Sequence, residues 1–209
     1  MGRFATTALF YEELRPPYPP EFFSEVAQQL KLSRQHALIE GKAETLPDEI
    51  GAFDIVTIGR ALHWMEREPT LARLERLVTP DGVIAVCTSV SAPHSRNAWL
   101  DDYNAARRAW SPAKLWAESG SGDRTHRDLP AFFSGSHFRL ADRILIETTH
   151  EVGVNDLARR VLTFSSSSPE ALGDNVEAML ADVEARLVPF SRDGLVTEAL
   201  VSVAQIVRR

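Results

Sequence analysis

The residue types best suited to chemistry gather after one apolar run, Phe53-Asp54-Ile55-Val56-Thr57-Ile58-Gly59. Arg60, Ala61, Leu62, His63 and Trp64 follow it directly. In open α/β sheets ligands bind beyond the carboxyl ends of strands, so this stretch holds a privileged position. An imidazole at His63 could accept a proton near neutral pH. The plainer alternative, which the residue types favour, is a structural histidine packed beside Trp64. Trp99, Tyr103 and Trp110 recur at helical spacing and could line an aromatic pocket. An aromatic stripe on a helix is more often plain core. The remaining histidines, His36, His94, His126, His137 and His150, lack the spacing of a ligand set, so no metal site is expected. The nucleophile elbow, the phosphate-binding loop and paired catalytic carboxylates have no counterpart in this sequence.

These side chains need a scaffold, and the hydrophobic pattern supplies one. Phe53–Gly59 and Val83–Thr88 are continuous apolar runs bounded by turn residues, which is the look of strands buried on both faces. Pro69 opens a helix carrying Leu71, Leu74, Leu77 and Val78, and Thr79-Pro80-Asp81-Gly82 is a turn. Strand, helix and strand so arranged form a right-handed parallel crossover. Upstream, Tyr11 to Pro20 reads as a stiff extended lead-in. Pro20 opens an amphipathic helix to about residue 32, and residues 36–40 read as a short strand. Downstream, a helix over 97–111 is followed by a loop rich in glycine and serine, and residues 91–135 read as a lid or insertion. Ile144, Ile146, Thr148, His150 and Val152 alternate along a long strand. Ser167 or Ser168 caps a helix bearing Leu172, Val176, Met179, Leu180, Val183 and Leu187. Asp193-Gly194 turns the chain into a last strand, 195–207.

Composition bounds the rest. The 209 residues are 44% hydrophobic and 25% charged, which suits one globular domain spanning 1–209. With 23 Lys+Arg against 29 Asp+Glu, no basic face for nucleic acid is expected. Cys87 is the lone cysteine, so there is no intrachain disulfide, and its apolar neighbours suggest an inert buried thiol. Long apolar stretches and a secretory leader are absent, which makes the cytoplasm the default location and a membrane partner unexpected.

The order of the pieces carries a family likeness. Gly41-Lys42-Ala43-Glu44-Thr45-Leu46-Pro47, Phe53-Asp54-Ile55-Val56, Ala61-Leu62-His63-Trp64 and Leu74 to Gly82 together resemble the second half of class I S-adenosylmethionine-dependent methyltransferases, the small-molecule "type 11" group above all. Tyr11, Arg15-Pro16-Pro17-Tyr18-Pro19 and the strand ending Val203-Ala204-Gln205-Ile206-Val207 are similar to that group's two ends. The resemblance implies an α/β, Rossmann-like sheet, mostly parallel with an antiparallel edge strand and flanked by helices. It implies methyl transfer from S-adenosylmethionine to a small-molecule acceptor. By the same resemblance Ala43 and Glu44 lie against the adenine, and Arg60 and Ala61 face the methionine end. Tyr11 and Arg15 close over the cofactor. Trp64, Trp99 and Tyr103 face the acceptor, and His63 is the candidate base.

The chain departs from the family in one respect. The family's first strand ends in an acidic, glycine-rich loop, and its second ends in an acidic residue that holds the ribose. Here Leu30-Lys31-Leu32-Ser33-Arg34 runs straight into Gln35-His36-Ala37-Leu38-Ile39. About fifty residues are lacking, roughly a strand-helix-strand crossover and part of another helix. The expectation is therefore a truncated five-stranded sheet with 53–59 and 83–88 adjacent and parallel at its centre. Its cofactor groove is open and its cofactor binding impaired. A non-catalytic methyltransferase-like protein is the alternative. An uncovered Trp64 beside Leu62 and Met65 would favour a homodimer.

Overall fold

The structure is a computed structural model that describes residues 7–31, 42–119 and 129–209. In chain order its helices are α1 (Thr7–Leu14), α2 (Pro20–Leu30), α3 (Arg67–Leu77), α4 (Leu100–Trp110), α5 (Ala113–Ser119), α6 (Leu129–Phe133), α7 (Val154–Arg159), α8 (Pro169–Leu172) and α9 (Val176–Leu187). Its strands are β1 (Phe53–Gly59), β2 (Val78–Ser91), β3 (Arg139–Gly153) and β4 (Leu195–Arg208), hydrogen-bonded in the order β1-β2-β4-β3. The fold is α/β with a mixed sheet. β1 and β2 run parallel. β4 is antiparallel to β3: Val154 N–H bonds to the Gly194 carbonyl, while Glu151 and His150 meet Thr197 and Glu198. The fifth expected strand, 36–40, lies outside the described residues.

The chain divides into two compact units, one of residues 1–17, 90–122 and 147–201, the other of 18–89, 123–146 and 202–209. The segment expected as one lid, 91–135, is shared between them.

The second unit shows why Val83–Cys87 is apolar at every position. Successive strand residues point to opposite faces. Val83, Ala85 and Cys87 pack with Phe22 and Val26 of α2, whereas Ile84 and Val86 pack with Leu71 and Leu74 of α3 and Phe133 of α6. Both faces of β2 are covered along Val83–Cys87, and where buried polar residues follow, Ser89 finds a partner in the Ser202 hydroxyl at 2.9 Å. β1 departs from the same expectation. Only Ile58 of its seven residues is buried, and Phe53 is 37% exposed, because β1 is an end strand of the described sheet. The expected turn at 79–82 falls inside β2, where the pairing jumps from Phe53–Val78 to Ile55–Val83. Gly82 makes this fold-back feasible: a Cβ there would sit 2.8 Å from Thr79 Oγ1 and 3.0 Å from the Phe53 carbonyl.

In the first unit Trp99, Tyr103 and Ala106 of α4 bury against Met179, Val183 and Leu187 of α9 and Leu157, Ala158 and Val161. Asn97 substitutes for a strand neighbour here. Its amide donates to the Ala92 and Ala199 carbonyls at 2.7 and 2.9 Å and accepts from Ala199 N–H at 2.8 Å. Ser168 caps α8 by accepting from Ala171 N–H. The long helix expected from Leu172 onward is broken at Gly173, whose φ of +56° is left-handed and ends α8 before α9 begins. The lead-in also differs from expectation. Tyr11 to Leu14 are helical, because the proline restriction begins only at Arg15. Asp193 and Gly194 both have positive φ, 52° and 75°, the two-residue turn that matches strand twist.

Candidate functional site

The carboxyl end of β1 is a bent, reinforced turn. Arg60 N–H continues the parallel ladder to the Cys87 carbonyl at 3.0 Å. The residue then adopts φ +53°, a left-handed conformation that a side chain other than glycine resists by about 1 kcal/mol. Its guanidinium folds back, donating to the Ser89 carbonyl at 2.9 Å and lying 4.7 Å above the Tyr18 ring. Strain of this kind collects at sites that work, because the surrounding structure must impose it.

Beyond Arg60 the chain makes a short 3-10 turn, Leu62–Trp64. Ala61 is half-buried, His63 is exposed, and Trp64 is 59% exposed with its ring 4.7 Å from that of His63. Leu62, expected in an exposed patch with Trp64, is instead buried with Leu71 and Leu74 in the core. Ala43 and Glu44 form another 3-10 turn, Ala43–Thr45. The Glu44 carboxylate accepts the Glu66 backbone N–H at 3.1 Å, at the entry to α3. Its own backbone N–H and that of Glu66 hold the carboxyl below its ordinary pKa. The structure thus places Arg60, Ala61, His63 and Trp64 of the second unit on the segment from β1 to α3, and Ala43 and Glu44 on the turn before β1 that braces Glu66.

The other candidates belong to the first unit. Tyr11 and Arg15 face one another, the Arg15 guanidinium 5.0 Å from the Tyr11 ring and 4.1 Å from that of Phe164. Arg15 also donates to the Thr163 carbonyl at 2.9 Å. Trp99 and Tyr103 stand edge to face in the core, centroids 5.5 Å apart.

Sequence reading missed the polar centre of this unit. Glu198 is wholly buried on β4 and takes two hydrogen bonds from buried Arg160, at 2.7 and 2.9 Å. His150 Nε2 lies 2.8 Å from its second oxygen, and Ser91 donates at 2.6 Å. Burial alone would raise the Glu198 pKa. The hydrogen bonds from His150 and Arg160, with the Arg160 charge, outweigh it and bring the carboxyl down to about 2. One signal was available: Glu198 is the lone charge on the face Val196, Glu198, Leu200, Ser202, Ala204, Ile206.

A bound S-adenosylmethionine would ask the strand end for a cation to meet its carboxylate and for an acceptor near its adenine. Arg60 and Glu44 are groups of those types, and Glu44 has committed one oxygen to Glu66 N–H. Arg60 in turn has committed its guanidinium to the Ser89 carbonyl and the Tyr18 ring. Among the described residues, no three or more His, Cys, Asp or Glu side chains group to hold a metal, and no helix is long and apolar enough to cross a membrane.

Residues 17–86 match a family model described as a methyltransferase domain. No curated protein matches the sequence. Among solved structures the chain is similar to one assigned as a type II methyltransferase from Anaeromyxobacter dehalogenans. That likeness has 16% identity and a TM-score of 0.48, over 81% of this chain and 69% of that one. It is similar also to one assigned as a methyltransferase from Bacillus halodurans, at 16% identity and a TM-score of 0.42, over 91% of this chain and 79% of the other. The YcgJ protein of Bacillus subtilis gives 16% identity and 0.41, over 90% and 77%. Scores this low carry no further argument. The family match spans α2, β1, α3 and most of β2, the elements that build the strand end at Arg60, and over residues 17–86 the chain is similar to a methyltransferase domain.

Proposed function

We propose that the protein is an S-adenosylmethionine-dependent methyltransferase acting on a small molecule. The observation that carries this reading is the strained turn at Arg60, lying inside the matched residues and at the end of β1. When bound, the cofactor supplies a methyl group activated by a positively charged sulfur; the protein's part is alignment and, where the acceptor needs it, a base. In this reading Ala43 and Glu44 take the adenine edge, and Arg60 and Ala61 take the methionine end. His63 is the proton acceptor and Trp64 faces the methyl acceptor. The net charge of −6 supports a small-molecule acceptor over nucleic acid.

A second reading, a non-catalytic methyltransferase-like protein, is favoured by one observation. Arg60 and Glu44 are both held by hydrogen bonds inside the protein, to Ser89 and Glu66. Calorimetric titration of the full chain with S-adenosylhomocysteine separates the two. The first reading expects micromolar binding that Arg60→Ala weakens about tenfold, the loss of one charge-assisted hydrogen bond. No heat up to millimolar ligand would leave only the second.

A further inference from the structure

Arg107 presents a problem of charge. It projects from α4, its Nε is buried and makes no hydrogen bond, and among the described residues no carboxylate pairs with it. Its one hydrogen-bond acceptor is Asn104 Oδ1, at 3.1 Å. Its guanidinium lies 3.5 Å from the centre of the Phe164 ring, with the Trp116 ring at 5.6 Å and that of Tyr103 at 6.0 Å. Burial pushes the guanidinium below its usual pKa. Arg107 is half-buried as a residue, and a cation drawn partly out of water is normally matched by an anion, since removing a charge from water is costly unless something replaces the water.

Tyr103 has the matching defect. It sits one helical turn before Arg107 on the same face of α4. Its side chain is buried, 3% exposed, and its hydroxyl has no hydrogen-bond partner. Arg107, Arg160 and Arg15 all act electrostatically on that hydroxyl. Arg160 is neutralised by Glu198, so it does not answer the need at Arg107. Two orphaned donors on adjacent turns of one helix require an explanation in a folded protein.

We infer that Arg107 and Tyr103 form a binding site for the carboxylate of a small organic acid. Phe164 covers a face of the guanidinium plane, which leaves its edge to meet two oxygens. The Tyr103 hydroxyl donates to one of them. The aromatic walls, Phe164 and Trp116, suit an apolar body attached to the carboxylate, which an inorganic anion lacks. The site is drawn from the first unit alone and stands independently of the methyl-transfer reading.

The test is calorimetry on the full chain with acetate, succinate, phenylacetate, the neutral phenylacetamide and inorganic phosphate. Phenylacetate should bind at least tenfold more tightly than phenylacetamide or phosphate. Arg107→Met should weaken it at least tenfold, and Tyr103→Phe about fivefold. Without ligand, Arg107→Met should melt no lower than wild type, since it removes an uncompensated charge. Three results would overturn the inference. One is no saturable binding of any carboxylate up to tens of millimolar. Another is phosphate binding as tightly as phenylacetate. The third is an Arg107→Met protein that melts several degrees lower, which would make Arg107 a structural stacking residue. If Arg107→Met does not fold, the third result has occurred.

Discussion

Glu198→Gln removes one negative charge from the centre of the first unit while keeping the side chain's shape. Arg160 is 5% exposed at its side chain and Glu198 0%, so water cannot replace the lost partner. The held pKa gives the magnitude. A drop from 4.5 in the unfolded chain to about 2 in the folded protein corresponds to about 3 kcal/mol of stability. Breaking a buried pair by removing one partner costs roughly 3–5 kcal/mol, which agrees. The sign follows from the direction of the change. A depressed carboxyl stabilises fully above its unfolded value, and the contribution is lost as pH falls toward the folded value. With the cited values, about half is gone by pH 3. Urea unfolding at pH 7 should therefore show Glu198→Gln weaker by about 3 kcal/mol. Between pH 5 and pH 3 wild type should lose stability faster than the variant, so the two curves converge. The double variant Arg160→Met with Glu198→Gln should recover most of the loss, because no charge is left unpaired. A single variant within about 1 kcal/mol of wild type, or pH curves that stay parallel, would refute the assignment of Glu198 as an ionised, load-sharing partner of Arg160.

Two further outcomes are expected. Burial raises the Cys87 thiol from 9.0 to about 11, so at pH 8 its reaction with an aromatic disulfide reagent should be about a hundredfold slower folded than in urea; equal rates would contradict its burial. We propose that Trp64, 59% exposed, contributes to self-association, in which case sedimentation velocity should show a wild-type dimer that Trp64→Glu reduces to monomer. A wild-type monomer at tens of micromolar would end that proposal.

The second unit was the more legible part of the sequence. A run such as Val83–Cys87 can be apolar at every position only if both faces are covered, and α2 and α3 cover them. The parallel pairing of β1 with β2 follows from the helix between them. The alternation in β3 was legible because that strand buries one face: Ile144, Ile146, Thr148, His150 and Val152 are the more buried set. The turn at Asp193-Gly194 was legible because few residues accept positive φ.

Other features depend on where strands and side chains end up in space. Exposure of β1 reflects its place in the sheet order, which no local pattern encodes. The left-handed turn at Arg60 is imposed by the ladder bond to Cys87 and the reach of its guanidinium to Ser89, residues far along the chain. Glu44 turned out to brace Glu66, a partner 22 residues away. The pairing of Glu198 with Arg160, His150 and Ser91 joins groups separated by 38 to 107 residues. Sequence alone can show that a charge sits on an apolar face, but only the packed structure supplies its counter-charge. At Arg107 the described residues supply rings and an amide but no anion.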